Sequence, residues 1–195
     1  RTDSRQVAPR LKALRAEMAS AGLDGFLVPR ADAHRGESVP PGEARLAWVT
    51  GFTGSAGIAF IGEKRAALFV DGRYTLQAPA GTDTRLIKVF EVTPAELGPQ
   101  LAAITPAGAR IGYDPWLHTP AEIKDLSAAL VGRATLVPSR NAVDRIWEDR
   151  PAPPASPIEF LGHNRAGRSS SEKLGDLRKL LAADDIDATV LTLPE

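Results

Sequence analysis

Cysteine is absent from this chain, which removes disulfides and thiolate metal sites at once. Histidine is scarce. His34, His118 and His163 lie in three separate segments, and none belongs to an H-x-x-x-H or E-x-x-H pair. Charge of one sign is also missing: 24 Lys and Arg balance 24 Asp and Glu, so the formal net charge is zero. That balance gives no field to gather nucleic acid or an anionic membrane surface. No apolar run approaches the ~18–20 residues that span a bilayer. The basic opening segment 1–18 moves into an amphipathic helix pattern without an apolar signal core, so a cytoplasmic location is expected. The first residue is Arg and not Met, and a preceding segment is expected.

What is present is ordinary for a folded α/β protein. Hydrophobic residues make up 43% and charged residues 25%, and 195 residues suffice for one well-buried core and a remainder. Leu11, Leu14, Met18 and Ala21 recur at helical spacing, and Gly22 supplies a stop. Gly25–Pro29 reads as a buried strand, and Arg30 to Glu43 as a polar loop. Gly51, Gly54 and Gly57 punctuate a turn that feeds a hairpin of two apolar strands, Ile58–Ile61 and Ala66–Val70. A helix is expected over about 73–79, with Asp71 or Gly72 near its cap, and a strand over 85–92. Thr93-Pro94-Ala95-Glu96 and Thr119-Pro120-Ala121-Glu122 are capping boxes with proline at the first helical position. The second should open a helix ending near Gly132. Strands are expected at 109–113 and 134–137, and a short helix at 141–147. This alternation predicts an α/β domain with a mixed sheet over residues 1–150.

Residues 151–168 begin with a proline-dense run, Pro151-Ala152-Pro153-Pro154, and are read as a semi-rigid linker. Ser169 to Glu172 forms a third capping box, opening a helix that carries Leu174, Leu177, Leu180 and Leu181. Residues 173–192 can be laid on 10–29 without a gap. Leu11, Leu14, Arg15, Ala19 and Asp24 then match Leu174, Leu177, Arg178, Ala182 and Asp187. Residues 169–195 are therefore read as the start of a second, related domain, cut one strand in.

Several strings resemble the N-terminal region of aminopeptidase P, the Xaa-Pro aminopeptidases of the creatinase/prolidase group. They are Asp32-Ala33-His34 with Glu37, Phe52 to Gly57 (FTGSAG), Asp71-Gly72-Arg73-Tyr74, Gly112-Tyr113-Asp114-Pro115, and Val143 to Trp147 with Asp149 to Pro151. One departure is Ser38, where the family commonly carries Tyr. The resemblance implies a creatinase/prolidase N-terminal domain of ribonuclease H-like fold, from the three-domain cytosolic form. It also implies removal of the first residue from peptides with proline second. The two divalent metal ions, usually manganese, would sit in a C-terminal domain absent from these residues, so no catalytic or metal-binding residue is assigned here. The implied partners are proline-containing peptides, the chain's own catalytic domain and a second copy in a homodimer.

His34 stands in a polar loop beside Asp32, Arg35 and Glu37, and either faces the substrate cleft of the intact enzyme or orders its loop. Arg73 and Tyr74 follow a strand end and are the other cleft candidates; the competing reading has Asp71 as a cap and Tyr74 packed on the sheet. His118 and His163 read as loop or solvent-exposed histidines, and Trp48, Trp116 and Trp147 as core or interface residues. The G-x-x-G-x-x-G spacing is neither a dinucleotide fingerprint nor a P-loop, and Ser55 lacks the G-x-S-x-G elbow. Two other functions stay open: a creatinase-like module that binds without hydrolysis, and a single-N-domain relative such as a prolidase or creatine amidinohydrolase.

Overall fold

A computed structural model describes residues 6–192. They fall into two compact units, one ending at Pro153 and one starting at Pro154.

In the first unit, helix α1 (Val7–Ser20) buries Val7, Leu11, Leu14 and Met18, four positions that share one helical face. It stops where Gly22 adopts φ +66°, a left-handed turn that glycine accepts without steric cost. Strand β1 (Gly25–Pro29), short helix α2 (Arg45–Thr50), strands β2 (Ile58–Gly62) and β3 (Ala66–Val70), helix α3 (Gln77–Gly81) and strand β4 (Lys88–Glu91) follow. Helix α4 (Pro94–Ile104), strand β5 (Ala109–Tyr113), helix α5 (Pro120–Ala129) and strand β6 (Ala134–Pro138) complete the fold.

The six strands lie in the order β4-β3-β2-β1-β5-β6. Strand β2 is antiparallel to both its neighbours, and every other pair is parallel, so β2 alone runs against the rest. The expected α/β architecture with a mixed sheet and flanking helices is observed. Alternating side chains send two apolar layers to opposite faces. Phe26, Val28, Ala59, Ile61 and Leu68 meet α1 and α2; Leu27, Phe60, Ala67, Phe69 and Ile111 meet α4 and α5. The central strands are thus covered on both sides and read as continuous apolar runs.

Phe60 has a special position. Gly25 and Gly62 are cross-strand partners, and the Phe60 ring lies over both: a Cβ on Gly25 would come 2.5 Å from that ring, and one on Gly62 3.1 Å. A second constraint closes the unit. Arg45, only 4% exposed, donates from Nε and Nη2 to the Asp144 carboxylate at 2.6 and 2.9 Å, and from Nη1 to Glu43 at 2.5 Å. Arg150 binds Glu43 at 2.6 Å, Asp144 at 2.9 Å and the Gly42 carbonyl at 2.6 Å. Burial disfavours the charge on Arg45, but the hydrogen bonds and charges of Asp144 and Glu43 outweigh it and raise its pKa. Gly42 meets the Pro151 carbonyl so closely that a Cβ there would overlap it.

Several expected elements change form. The helix over 73–79 divides into a 3-10 turn at Gly72–Tyr74 and α3, which starts four residues later than expected. The strand over 85–92 shortens to β4, because Asp83 takes Arg85 into a turn with an ion pair at 2.7 Å and a bond from the Arg85 N–H at 3.1 Å. Residues 141–147 form turns: the Asn141 side chain accepts the Val143 N–H at 3.1 Å as a helix cap would, but a single helical closing bond follows, from the Trp147 N–H to the Val143 carbonyl at 3.1 Å. Helix α2 is an addition between the segment read as a polar loop and the glycine turn. Trp48 and Trp147 stack at 5.1 Å, whereas Trp116 is 77% exposed and so lies outside the core.

In the second unit, helix α6 (His163–Ala166) is short, and α7 (Ser170–Ala183) opens on the Ser169–Glu172 capping box as expected. Residues 186–192 carry no strand. The matching strand of the first unit, β1, is held by ladders to β2 and β5, and the described residues of the second unit offer no such ladder.

Candidate functional site

A cleft of about 750 Å³ opens at the carboxyl edge of the first unit's sheet. In α/β sheets this edge is where ligands settle, beyond the strand ends. Strand ends at Pro29, Ile58 and Phe69 contribute to its lining, and Leu97 of α4 with Leu126 of α5 line it from the helices. Gly98 of α4 packs against α5, where a Cβ would stand 2.5 Å from the Ala129 Cβ. Both begin at this edge on the capping boxes seen in the sequence. The Thr93 N–H donates to the Glu96 carboxylate at 2.8 Å, and the Thr119 N–H to Glu122 at 2.8 Å, with the Glu122 N–H returning to Thr119 Oγ1 at 3.1 Å.

Glu122 does more than cap. Arg35, at φ +58°, reaches it with a two-pronged bond, Nη2 to Oε1 at 2.6 Å and Nη1 to Oε2 at 3.0 Å, and gives a further bond to the Leu117 carbonyl at 3.0 Å. Burial works against the Glu122 carboxylate, but the Arg35 and Thr119 bonds outweigh it and lower its pKa. His118 sits beneath this pair with a side chain 2% exposed, its Nδ1 3.9 Å from Glu122 and its ring edge-on to Tyr113 at 5.8 Å. Its Nε2 is buried without a hydrogen-bond partner. The exposed reading of His118 is therefore corrected: the turn Pro115–Leu117 and the cap at Thr119 draw the ring inward.

That burial has a pH consequence. Desolvation, the largest influence, lowers the His118 pKa from its ordinary value of 6.5, with Arg35 adding to the effect while Glu122 and Asp114 oppose it. The unfolded chain then binds a proton that the folded chain refuses. His118 accordingly leaves stability intact above its ordinary value, and stability falls as pH drops from there toward the lowered folded value. In urea titrations across this window, His118→Phe should flatten that part of the pH slope. An unchanged slope in the variant would assign it to other groups.

The candidates from sequence are placed apart. His34 is exposed, its N–H bonded to Asp32 Oδ1 at 3.1 Å, and it does not line the cleft; its neighbours Arg30 and Arg35 do. Asp71 caps the turn through the Arg73 N–H at 2.9 Å and pairs with the Arg73 side chain at 2.7 Å. Tyr74 is half-buried, edge-on to Phe52 at 5.3 Å, and its hydroxyl accepts the Ser55 N–H at 2.9 Å and lies 2.6 Å from Ser55 Oγ. Tyr74 thereby holds the turn that brings Ser55, Ala56 and Gly57 to the cleft. The roles of Arg35, His118 and Glu122 were missed in the sequence. The four-residue spacing of His118 and Glu122 about a cap was readable there; a partner 87 residues away was not. Among the described residues, no three His, Asp or Glu side chains gather in a set able to hold a metal ion.

Comparison with known proteins places this geometry in context. Residues 10–146 match the model of the creatinase/prolidase N-terminal domain. Xaa-Pro aminopeptidase 2 of Sus scrofa is 36% identical over 171 residues, which cover 86% of this chain and 25% of that protein. A probable Xaa-Pro aminopeptidase P of Sordaria macrospora is 35% identical over 190 residues, 94% of this chain and 31% of its own length. This chain thus spans about a quarter to a third of these relatives. Among solved structures, X-prolyl aminopeptidase of Caenorhabditis elegans, described as a cytosolic enzyme with a di-nuclear active site, superposes with a TM-score of 0.76 at 29% identity, over 96% of this chain and 33% of that one. The N-terminal domain of the cytoplasmic peptidase PepQ from Mycobacterium tuberculosis shares the fold, with a TM-score of 0.55 at 23% identity over 71% of this chain and 98% of that one. With its family model matched over most of its length, this chain belongs to the creatinase/prolidase N-terminal domain family.

Proposed function

We propose that the chain is the non-catalytic N-terminal portion of an Xaa-Pro aminopeptidase, which removes the first residue from peptides with proline at position two. One observation carries this reading: similarity runs over 94% of the chain yet over only 31% of a relative bearing that name. The metal chemistry, with two divalent ions that the resemblance makes manganese, then belongs to residues outside these 195. The side chains described here do not fit such a centre. In the parent protein this domain would limit access to the catalytic cleft, admitting small peptides and excluding folded proteins, and would support a cytoplasmic homodimer. Residues 151–168 serve as its linker, and 169–195 begin a second domain of the same kind. His34, Arg73 and Tyr74 face the substrate cleft of that assembly; their place on loops and turns beside strand ends supports this.

The test is release of the first residue from a short Xaa-Pro peptide with added manganese, comparing this chain with the longer parent product. Activity should appear only in the parent. Turnover by the purified 195-residue chain would overturn the proposal. A second reading, a creatinase-like domain that binds without hydrolysing, is favoured by the cleft itself.

A further inference from the structure

We propose that the carboxyl-edge cleft of this domain binds short apolar peptides with both ends free, Asp125 taking the α-ammonium group and Arg30 the α-carboxylate. The proposal goes beyond the peptidase reading and does not rest on it.

The charges around the cleft carry the inference. Five charged side chains line it: Arg30, Arg35, Asp71, Glu122 and Asp125. Arg35 and Glu122 satisfy one another through two bonds, and Asp71 is held by Arg73. Arg30 and Asp125 remain. Among the described residues neither has an oppositely charged partner, and the Arg30 side chain only donates to the carbonyl of Glu37. They stand on different elements, the half-buried Arg30 directly after β1 and the solvent-exposed Asp125 within α5. The rest of the lining is largely apolar, with Ile58, Phe69, Leu97 and Leu126 among it.

An apolar cleft with one charge of each sign outside any internal ion pair matches a zwitterion with an apolar body. At neutral pH an uncapped peptide is that species, since its α-amine stays mostly protonated and its α-carboxyl ionised. The cleft's volume of about 750 Å³ lies within the range of small-ligand sites. A fatty acid would engage only Arg30 and an alkylamine only Asp125, so each uses half of the site.

The experiment titrates the isotope-labelled 195-residue chain with Leu-Pro-Leu in four forms: free, N-acetylated, C-amidated and capped at both ends. Backbone amide shifts at Ile58, Leu97 and Leu126 report the cleft. The free peptide should bind at millimolar concentration or below, and each cap should weaken binding about two- to fivefold. Asp125→Asn should erase the difference between free and acetylated peptide, and Arg30→Gln that between free and amidated peptide. Because Arg30 also braces its loop, Arg30→Lys serves as the control and should restore the preference for a free carboxylate. Equal binding of the doubly capped peptide, shifts confined to other surfaces, or no shifts up to the solubility limit would overturn the proposal. The readout is binding alone, so failure of the peptidase assay leaves it unaffected, and the reverse also holds.

Discussion

Asp144→Ala should cost the first unit about 3 kcal/mol of stability, near the low end of the range for breaking a buried ion pair. The reason lies with the partner left behind. Arg45 is 4% exposed, and two of its three guanidinium bonds end on Asp144. Removing that carboxylate strands a desolvated cation that cannot lose its proton. Glu43 still holds Nη1 at 2.5 Å, which keeps the loss from reaching the top of the range. Arg150 loses its 2.9 Å contact with the same carboxylate, so its own hold on Glu43 and Gly42 weakens. In a chain of this size the expected loss lowers the thermal midpoint by roughly 6–12 °C. Urea unfolding of wild type and variant is the direct measurement. A loss below about 1 kcal/mol would put the pair among ordinary surface ion pairs and remove its structural importance.

Phe60→Ala should be at least as damaging, at about 3–5 kcal/mol. The ring is 1% exposed, sits in the α4–α5 layer and covers a pair of glycines on adjacent strands. Alanine would remove the contacts of the ring and leave the backbone of Gly25 and Gly62 facing a void. The geometry also fixes the sign of a coupling. Gly25→Ala in the parent drives a methyl group to 2.5 Å from the Phe60 ring, so it should destabilise. In the Phe60→Ala background that obstacle is gone, and the same substitution should be better tolerated. A double-mutant cycle reads the difference. Equal costs in both backgrounds would show that something other than the ring excludes a side chain at position 25.

The contrast between these two sites shows what local sequence could convey. Periodicity located α1, the apolar strand runs and the capping boxes at Thr93, Thr119 and Ser169, because each depends on residues within one turn or one strand. The sheet order depends on pairing between distant segments, as where β1 joins β5, and no local pattern encodes that. The same divide runs through the site. Thr119 and Glu122 announced themselves as a cap, whereas their neighbour Arg35 gave no sign of crossing 87 residues to bind Glu122. His118 looked like a loop histidine because burial follows from how a turn folds back, not from the identity of its neighbours. Residues 141–147 misled in the opposite direction. A helix was expected there, and Asn141 does accept the Val143 N–H as a cap, but the segment closes after one turn with the Trp147 N–H on the Val143 carbonyl.

The clasp between Gly42 and the segment ending at Pro151 decides where this fold ends. A chain stopped after Pro138 would keep all six strands and the helices between them, yet would discard Asp144 and Arg150. Arg45, at the start of α2, would then keep Glu43 as its one carboxylate and lose both bonds to Asp144, and Trp48 would lose its stacking partner Trp147. The last strand is therefore not the last structural residue. Tension arriving along the proline-rich segment would meet Arg150 first and pass through Glu43 to the start of α2. Arg150 is anchored on the side of the sheet covered by α1 and α2, so a pull there reaches that layer before it reaches β6.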